Sequence, residues 1–283
     1  MLQISPPHLS FASQNEIDSF TNCLLASQRI LCLVGAGLSA ASGIPTFRGA
    51  DGLWNTPWGT QHRAKDLASP YAFKTNPVEV LQLYSERRQQ ALSAYPNPAH
   101  YALAQLARAK PELLTICQNV DGLCERAGHP ASQLHLIHGS LLNIRCSVCD
   151  YSKHDTSLEP FVPIVPDLPA SQLPRCSTCA GLLRPGVVWY GERLPDTVTD
   201  AIEQWIDSGP ADLIIVIGTS LSTFPAAEYI EDARGESTRL AVINTDRDEE
   251  PCNGMREGDW FFVGDAAVVV PDILKTAIQH FEK

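Results

Sequence analysis

The chain has 283 residues, of which 44% are hydrophobic and 19% charged, and its formal net charge is −11 at pH 7. This length and composition predict a globular protein with one large domain, or one domain that carries a smaller lobe. The negative charge disfavours direct binding to nucleic acid, and the sequence contains no apolar run of about 18 residues that would predict a transmembrane helix.

The N-terminal residues 1–28 contain no lysine or arginine. This composition is typical of neither a secretory signal peptide nor an arginine-rich mitochondrial presequence. Five of the nine cysteines lie outside the paired motifs described below, and an odd number of free thiols fits a reducing compartment. We therefore expect a cytoplasmic protein, with the nucleus and the mitochondrion as alternatives. We also expect a monomer that does not bind membranes.

Five short apolar runs end abruptly at glycine or small polar residues, and each is typical of a strand buried on both faces of a parallel sheet. The runs are residues 30–34, 113–117, 213–217, 240–243 and 260–263. Helix-like stretches lie between them, so the sequence predicts an α/β doubly wound fold with a parallel sheet. Ligands of such sheets bind beyond the carboxyl ends of the strands, so the polar residues that follow the runs should line one crevice.

The first run leads into residues 35–40 (Gly-Ala-Gly-Leu-Ser-Ala), which fit the G-x-G-x-x-G/A fingerprint of dinucleotide-binding proteins. The glycines allow a tight turn and a close approach of the backbone to a pyrophosphate. A glycine-rich turn without a ligand is the alternative. Pro45 should stop the helix that starts near Leu38, because proline lacks an amide hydrogen and clashes with the preceding turn. We predict that a loop with Phe47 and Arg48 follows and covers the dinucleotide.

Two stretches interrupt the alternation of strands and helices. Residues 50–99 contain helical segments without a clear buried strand, and residues 141–187 contain two C-x-x-C pairs. We interpret both as insertions that form a smaller lobe on a single domain spanning residues 1–283. The Rossmann-like, dinucleotide-binding part then consists of residues 25–49, 100–140 and 188–275.

The two C-x-x-C pairs predict a metal site. Each pair can bind one tetrahedral ion from a tight turn, and two such turns close a four-sulfur Zn²⁺ site. A closed site leaves no position for water, so this zinc should be structural. Two disulfides are the alternative, which the paired spacing disfavours in a chain without a secretion signal. The predicted ligands are Cys146, Cys149, Cys176 and Cys179.

These motifs together resemble the signatures of the sirtuins, the NAD-dependent protein-lysine deacylases. The resemblance covers about residues 25–275, and the four cysteines match the zinc module of the family. The matching segments are residues 35–49 (the glycine-rich signature), 118–121 (Gln-Asn-Val-Asp, the Q-N-I-D motif), 138–139 (His-Gly), 187–192 (Val-Val-Trp-Tyr-Gly-Glu, the V-V-x-F-G-E substrate strand), and 218–220 and 244–246 (the adenosine-side motifs).

The resemblance implies that NAD is a co-substrate and that the carbonyl oxygen of an acyl-lysine attacks its ribose, which releases nicotinamide and then free lysine and O-acyl-ADP-ribose. It implies His138 as the general base, a role that suits an ordinary histidine pKa of about 6.5. Asn119 and Asp121 are implied to position the ribose and nicotinamide. The implied cofactor-binding residues are Gly35, Ala36, Gly37, Ser39, Ile44, Pro45, Thr46, Phe47, Arg48, Trp54, Gln118, Asn119, Val120, Asp121, Gly218, Thr219, Ser220, Asn244, Thr245, Asp246, Asp265 and Ala266. The implied substrate-binding residues are Tyr84, Arg87, Val188, Trp189, Tyr190, Gly191 and Glu192.

A predicted helix carries the residues that indicate which acyl group is preferred. Residues 76–79 (Asn-Pro-Val-Glu) are typical of a helix start, which places Tyr84 and Arg87 at i and i+3 on one face. This Tyr-x-x-Arg pair resembles that of class III sirtuins, the desuccinylase and demalonylase branch, where it recognises the distal carboxylate. We therefore predict a preference for succinyl and malonyl groups, with glutaryl as a further candidate. Arg88 at i+4 competes with Arg87, and a solvated Tyr–Arg pair is the other alternative.

Other functions on the same fold stay open at this point. An NAD-dependent deacetylase and a mono-ADP-ribosyltransferase would share the motifs, and the acceptor found by mass spectrometry would separate them. A non-catalytic NAD-binding module is disfavoured by the intact Asn119, Asp121 and His138. A hydride-transferring dehydrogenase is disfavoured because Pro45 shortens the helix that such enzymes need. The expected partners are acyl-lysine proteins or peptides.

Overall fold

A computed structural model describes residues 12–47, 52–53, 57–58 and 62–281, and eleven strands lie in this part of the chain. The strands are β1 (Ile30–Val34), β2 (Pro57–Trp58), β3 (His62–Arg63), β4 (Leu113–Cys117), β5 (Leu134–Leu136), β6 (Gly139–Cys146), β7 (Ser152–His154), β8 (Leu183–Val187), β9 (Leu213–Ile217), β10 (Arg239–Asn244) and β11 (Trp260–Val263). The helices are α1 (Gln14–Ala26), α2 (Gly37–Ala40), α3 (Ala64–Leu67), α4 (Pro70–Thr75), α5 (Pro77–Ser93), α6 (Pro98–Ala109), α7 (Leu123–Arg126), α8 (Asp196–Asp207), α9 (Glu228–Asp232) and α10 (Ala266–Phe281).

The main sheet has six parallel strands in the order β11-β10-β9-β1-β4-β5. This is the strand order of doubly wound dinucleotide-binding folds, so the predicted fold class is confirmed. All five predicted strands are present, and β1, β4 and β9 are buried at every residue. The edge strand β5 was missed, because it is only three residues long and half-buried.

Helices cover both faces of this sheet. Alternate residues of β1 point to opposite faces, as the two-residue period of a strand requires. Ile30, Cys32 and Val34 pack with residues of α1, α6 and α10, whereas Leu31 and Leu33 pack with residues of α8 and α9. The two apolar layers explain why the strand runs are continuously hydrophobic. Among the described residues, no helix is both long and apolar enough to cross a membrane.

A smaller lobe packs beside the main sheet. It combines helices α3 to α5 with the antiparallel sheet β7-β6-β8, and its own apolar core includes Leu81, Leu141 and Trp189. The antiparallel sheet was not predicted. At the start of α5, Asn76 and Pro77 take the expected N-cap and first-turn positions, but the Asn76 side chain makes no capping hydrogen bond. The predicted boundaries of the insertions stay predictions.

Candidate active site

The glycine-rich turn lies where β1 and β9 end side by side. The Gly35 amide donates to the Ile217 carbonyl at 2.9 Å, and the Gly37 amide donates to the Gly218 carbonyl at 2.8 Å. A Cβ atom on Gly35 would lie 2.7 Å from the Gly218 oxygen, and one on Gly37 would lie 2.6 Å from the Gly218 Cα. The two loops therefore meet through their backbones, and this close approach requires glycine.

The helix after this turn is as short as the sequence predicts. It ends at Ala40, and the chain then turns through Gly43, whose φ of 84° lies in the left-handed region that glycine favours. Pro45 follows two residues later. The chain from Ile44 to Phe47 therefore forms a loop beside the ends of β1 and β4.

Polar side chains after β4 attach to the glycine-rich turn and to the short helix α2. The Asn119 amide group donates to the Gly35 carbonyl at 3.0 Å and to the Ser39 hydroxyl at 3.2 Å. Asp121 is buried and accepts a hydrogen bond from the Leu123 amide at 2.9 Å. Burial raises the pKa of the Asp121 carboxyl above its usual value, against the lowering effect of that amide. The segment after β4 is thus fixed to the glycine-rich turn.

His100 supports the same network, and the sequence analysis missed it. Its Nδ1 accepts the Asn97 amide at 3.2 Å in a capping box at the start of α6, so Nε2 carries the proton and donates to the Ser39 hydroxyl at 3.3 Å. The side chain is 1% exposed. Burial lowers the pKa of His100 to about 4. The only sequence signal was a histidine three residues after a helix-capping asparagine.

Acid should destabilise the protein through His100. A histidine has a pKa of about 6.5 in the unfolded chain, whereas that of folded His100 is about 4. The stabilising effect of the neutral ring is therefore complete above pH 6.5 and is lost as the pH falls towards 4. Between pH 7.5 and 5 we expect a loss of about 2 kcal/mol of unfolding free energy from this residue. Urea unfolding of the parent and His100→Gln at both pH values measures it, and equal pH dependence in the two proteins would contradict the assignment.

A cavity of about 240 Å³ extends from Ala36 of the glycine-rich turn and Phe47 to the smaller lobe. Its walls bring together most of the predicted reaction residues: Ala36, Phe47, Tyr84, Arg87, Gln118, Asn119, Val120, His138, Val188, Trp189, Tyr190, Gly191 and Glu192. A smaller adjoining pocket is lined by Ile44, Asp121 and, again, Arg87. One continuous space therefore joins the glycine-rich turn, the histidine and the Tyr–Arg pair.

His138 presents one nitrogen to this space. Its Nδ1 lies 2.9 Å from the Gln118 carbonyl oxygen. Because a carbonyl only accepts, Nδ1 must carry the proton, and Nε2 of the neutral ring is left as an acceptor. Burial lowers the pKa of His138 below its ordinary value, although the bond to Gln118 acts in the opposite direction. The ring is therefore neutral at physiological pH and can accept a proton.

The opposite wall of the cavity is held rigidly by Glu192. Its carboxylate accepts two hydrogen bonds from Arg184, at 2.6 and 2.9 Å, and one from the Trp189 amide at 2.8 Å. The Arg184 guanidinium lies 3.3 Å from the centre of the Trp189 ring. Burial favours the neutral acid, but these bonds outweigh it and lower the pKa of Glu192. Glu192 therefore stays charged and fixes the indole.

Arg87 and Arg88 have different surroundings, which separates the two candidates for an anion contact. Arg87 is 7% exposed, lines the cavity and donates to the Gln90 side chain at 3.2 Å. No described residue forms an ion pair with it, and burial lowers its pKa. Arg88 is instead bound to Asp155 at 3.1 Å and does not line the cavity.

The remaining predicted cofactor residues follow the other strands of the same sheet edge. Asn244, at the end of β10, donates to the Thr219 carbonyl at 3.1 Å and accepts the Thr245 amide at 2.8 Å. Asp265 accepts the Ala267 amide at 2.8 Å at the start of α10. Arg48 and Trp54 lie outside the described residues. The roles of the individual residues stay predictions; the others at this edge are Ser220, Asp246 and Ala266.

The four cysteines of the paired motifs form one cluster in the smaller lobe. Their sulfur atoms all lie within 4.8 Å of one another, and the closest approaches are 3.5 Å for Cys146–Cys179 and 3.7 Å for Cys149–Cys176. All four thiols are free, which excludes the two disulfides. Zn–S bonds of about 2.3 Å in a tetrahedron place sulfur atoms roughly 3.8 Å apart, so the donor set fits one Zn²⁺. None of these residues lines the 240 Å³ cavity, which makes the zinc structural.

Comparison with known proteins agrees with this geometry. The sequence model of the Sir2 family matches residues 35–225, more than half of the chain. An NAD-dependent protein deacylase of Candida albicans is 39% identical over an alignment with a length of 305, which covers 93% of this chain and 98% of the relative. An NAD-dependent protein deacylase of Xenopus laevis, sirtuin-5A, mitochondrial, is 37% identical and covers 81% and 77%.

A solved structure has the same fold. It is the crystal structure of a Sir2 homologue in complex with NAD, which is 36% identical, has a TM-score of 0.79, and covers 93% of this chain and 94% of that chain. The fold, the glycine-rich turn, the four-cysteine cluster and the sequence relatives lead to one conclusion. The chain belongs to the Sir2 family of NAD-dependent protein deacylases, the sirtuins.

Proposed function

We propose that this deacylase prefers lysine acyl groups that end in a carboxylate, namely succinyl and malonyl, with glutaryl as a further candidate. The observation that carries the proposal is Arg87, a buried cation without an ion-pair partner among the described residues, in the wall of the cavity that His138 also lines. A buried charge without a partner is costly. A substrate carboxylate would supply that partner.

The surroundings of the glycine-rich turn fit NAD. The turn contains the two glycines of the dinucleotide fingerprint, Gly35 and Gly37, which pack directly on the backbone of Gly218, and Asn119 holds the turn from the β4 side. Bound NAD supplies the activated ribose carbon and the nicotinamide leaving group. The apolar Ile44 and Phe47, together with Asn119 and Asp121, line the small pocket next to the turn, and this mixture of apolar and polar groups matches the chemistry of an aromatic amide.

His138 acts as general base in this proposal. Its Nδ1–H donates to the Gln118 carbonyl, so the ring cannot turn freely and Nε2 stays available in the cavity as the proton acceptor. The depressed pKa keeps Nε2 unprotonated at neutral pH. Proton removal by a positioned base of this kind contributes roughly 100- to 10,000-fold to a rate.

The acyl end of the substrate would meet a group of hydrogen-bond donors. The Arg87 guanidinium can bind a carboxylate with two parallel bonds, and the Tyr84 hydroxyl can add a third. The Trp189 indole N–H is also buried in this wall, with the Trp189 ring 5.9 Å from the Tyr84 ring. An acetyl group would leave the guanidinium unpaired, so the same cavity disfavours acetyl-lysine.

A panel of acyl-lysine peptides tests the proposal. With NAD present, we expect kcat/KM for succinyl- and malonyl-lysine to exceed that for acetyl-lysine about 10- to 100-fold, because each charged hydrogen bond contributes roughly 1.5–3 kcal/mol. Mass spectrometry of the products should find O-acyl-ADP-ribose. Equal or faster turnover of the acetyl peptide would overturn the acyl preference, and an ADP-ribosylated acceptor in place of the free product would indicate transferase activity.

A further inference from the structure

We propose that the zinc-containing lobe sets the acyl preference by holding helix α5 in place, and that Arg88 and Asp155 are positioning residues for Arg87. The inference rests on the proposed preference for acidic acyl groups and adds a structural element that controls it. The element is the segment 155–165, between β7 and the second cysteine pair, which is called the arm below.

Helix α5 uses two neighbouring faces for two purposes. Tyr84 and Arg87, three residues apart, lie on the face that lines the cavity. Gln82, Ser85 and Arg88 are also spaced by three residues and form the adjacent face. Ser85 is fully buried and Arg88 is 3% exposed, although neither lines the cavity. A shift of one face must therefore move the other.

The second face is bound to the arm along its length. Arg88 donates to the Asp155 carboxylate at 3.1 Å, to the Asp155 carbonyl at 2.7 Å and to the Glu159 carbonyl at 2.9 Å. The Ser85 hydroxyl accepts the Val162 amide at 2.8 Å. Gln82 donates to the carbonyls of residues 163 and 165 at 3.1 and 2.7 Å. Six hydrogen bonds thus join two helical turns to one irregular segment.

The arm is itself anchored to the strand that carries a zinc ligand. Asp155 directly follows β7, which pairs with β6, and its amide donates to the Leu142 carbonyl of β6 at 2.7 Å. Strand β6 ends at Cys146 and contributes Leu141 to the cavity wall. The Ser157 amide is the main cause that lowers the pKa of Asp155 to about 2, so the carboxylate is charged at neutral pH. A continuous set of bonds therefore connects the zinc cluster to α5.

This connection matters because Arg87 has little support of its own. Among the described residues, Gln90 on the same helix is its single side-chain hydrogen-bond partner, and its guanidinium lies 5.9 Å from the centre of the Phe47 ring. Its position therefore depends on where α5 lies, and paired hydrogen bonds to a carboxylate tolerate only small displacements. The His138 ring is held by the Gln118 carbonyl just after β4, and the glycine-rich turn lies at the ends of β1 and β9, so both are anchored to the main sheet. Loosening the arm should therefore weaken recognition of the acyl carboxylate without impairing the reaction itself.

Steady-state kinetics of Asp155→Asn and Arg88→Met test this inference with succinyl- and acetyl-lysine peptides. We expect KM for the succinyl peptide to rise about tenfold with kcat changed less than twofold, and kcat/KM for the acetyl peptide to change less than twofold. Gln82→Ala removes only the two bonds at the partly exposed end of the arm. It should lower the ratio of succinyl to acetyl kcat/KM two- to threefold, and this test remains available if the buried variants fold poorly.

Asp259→Asn is the matched control. It breaks the buried Arg234–Asp259 ion pair of the main-sheet part, where both side chains are 1% exposed. It should lower stability while preserving the ratio of succinyl to acetyl activity. An unchanged ratio in folded Asp155→Asn, Arg88→Met and Gln82→Ala would overturn the inference, as would an equal loss of both activities. The parental ratio is measured first, so that absence of any succinyl preference is recognised as failure of the proposed function.

Discussion

Replacement of Arg87 by methionine should lower kcat/KM for succinyl-lysine peptides about 10- to 100-fold and leave that for acetyl-lysine peptides within about threefold. Methionine preserves the unbranched apolar stem and the helix, but it removes the only charge that the Tyr–Arg pair offers to a carboxylate. Because no described residue forms an ion pair with this buried cation, its removal also relieves a desolvation cost, so the fold should tolerate the change. Initial rates with both peptides at saturating NAD measure the two effects.

Two further variants make this result specific. Arg87→Lys retains the charge but loses the planar pair of donors, so we expect a smaller loss with the succinyl peptide, about 3- to 30-fold. Tyr84→Phe removes one hydroxyl and should cost about 3- to 10-fold on the same peptide. If Arg87→Met instead reduced succinyl and acetyl activity equally while the protein stayed folded, Arg87 would have no role in acyl selection.

Replacement of His138 by alanine should abolish turnover of every acyl peptide, with kcat reduced at least 100-fold and up to about 10,000-fold. The reason is that Nε2 of this ring is the acceptor that the Gln118 carbonyl leaves unprotonated in the cavity. The affinity for NAD, measured by calorimetry, should change less than about threefold, which separates a lost base from a lost binding site. Parental deacylation rates in His138→Ala would exclude this residue as the base.

The pH dependence of kcat/KM in the parent enzyme is a second test of His138 as the base. Burial lowers the pKa of His138, so the ring should stay neutral to a pH below its ordinary 6.5. The acid limb of kcat/KM should then lie below pH 6.5, with activity falling as Nε2 becomes protonated and no loss between pH 7 and 8 from this group. A limb centred above pH 6.5 would require a different titrating residue.

The main sheet could be predicted because its strands are buried on both faces. Continuous apolar runs such as residues 30–34 are typical of strands whose two faces both meet helices. All five runs form parallel strands of the main sheet, although Val263 at the end of the edge strand β11 is exposed. The glycine-rich turn and the cysteine pairs could be predicted for a similar reason. Each depends on residue types whose geometry or chemistry is nearly unique, so spacing alone identifies them.

The smaller lobe was harder to predict for physical reasons that the structure makes plain. Strand β6 has an irregular burial pattern and shifts register between Ser140 and Ile144, and β8 contains Pro185. Neither strand therefore shows a clean two-residue alternation. The sequence also could not decide whether Arg87 or Arg88 lines the cavity. Residues at i+3 and i+4 lie on similar faces of a helix, and only the position of Asp155, 67 residues away, separates them.

The backbone contact between Gly37 and Gly218 has a consequence for protein engineering. A side chain at either position would have to force the ends of two central, adjacent strands apart, since a Cβ atom would lie 2.6 Å from the facing backbone. Libraries designed to change the nucleotide used by this enzyme should keep both positions invariant. Variation is better directed to the polar residues after β10, where exposed side chains can be exchanged without repacking the sheet.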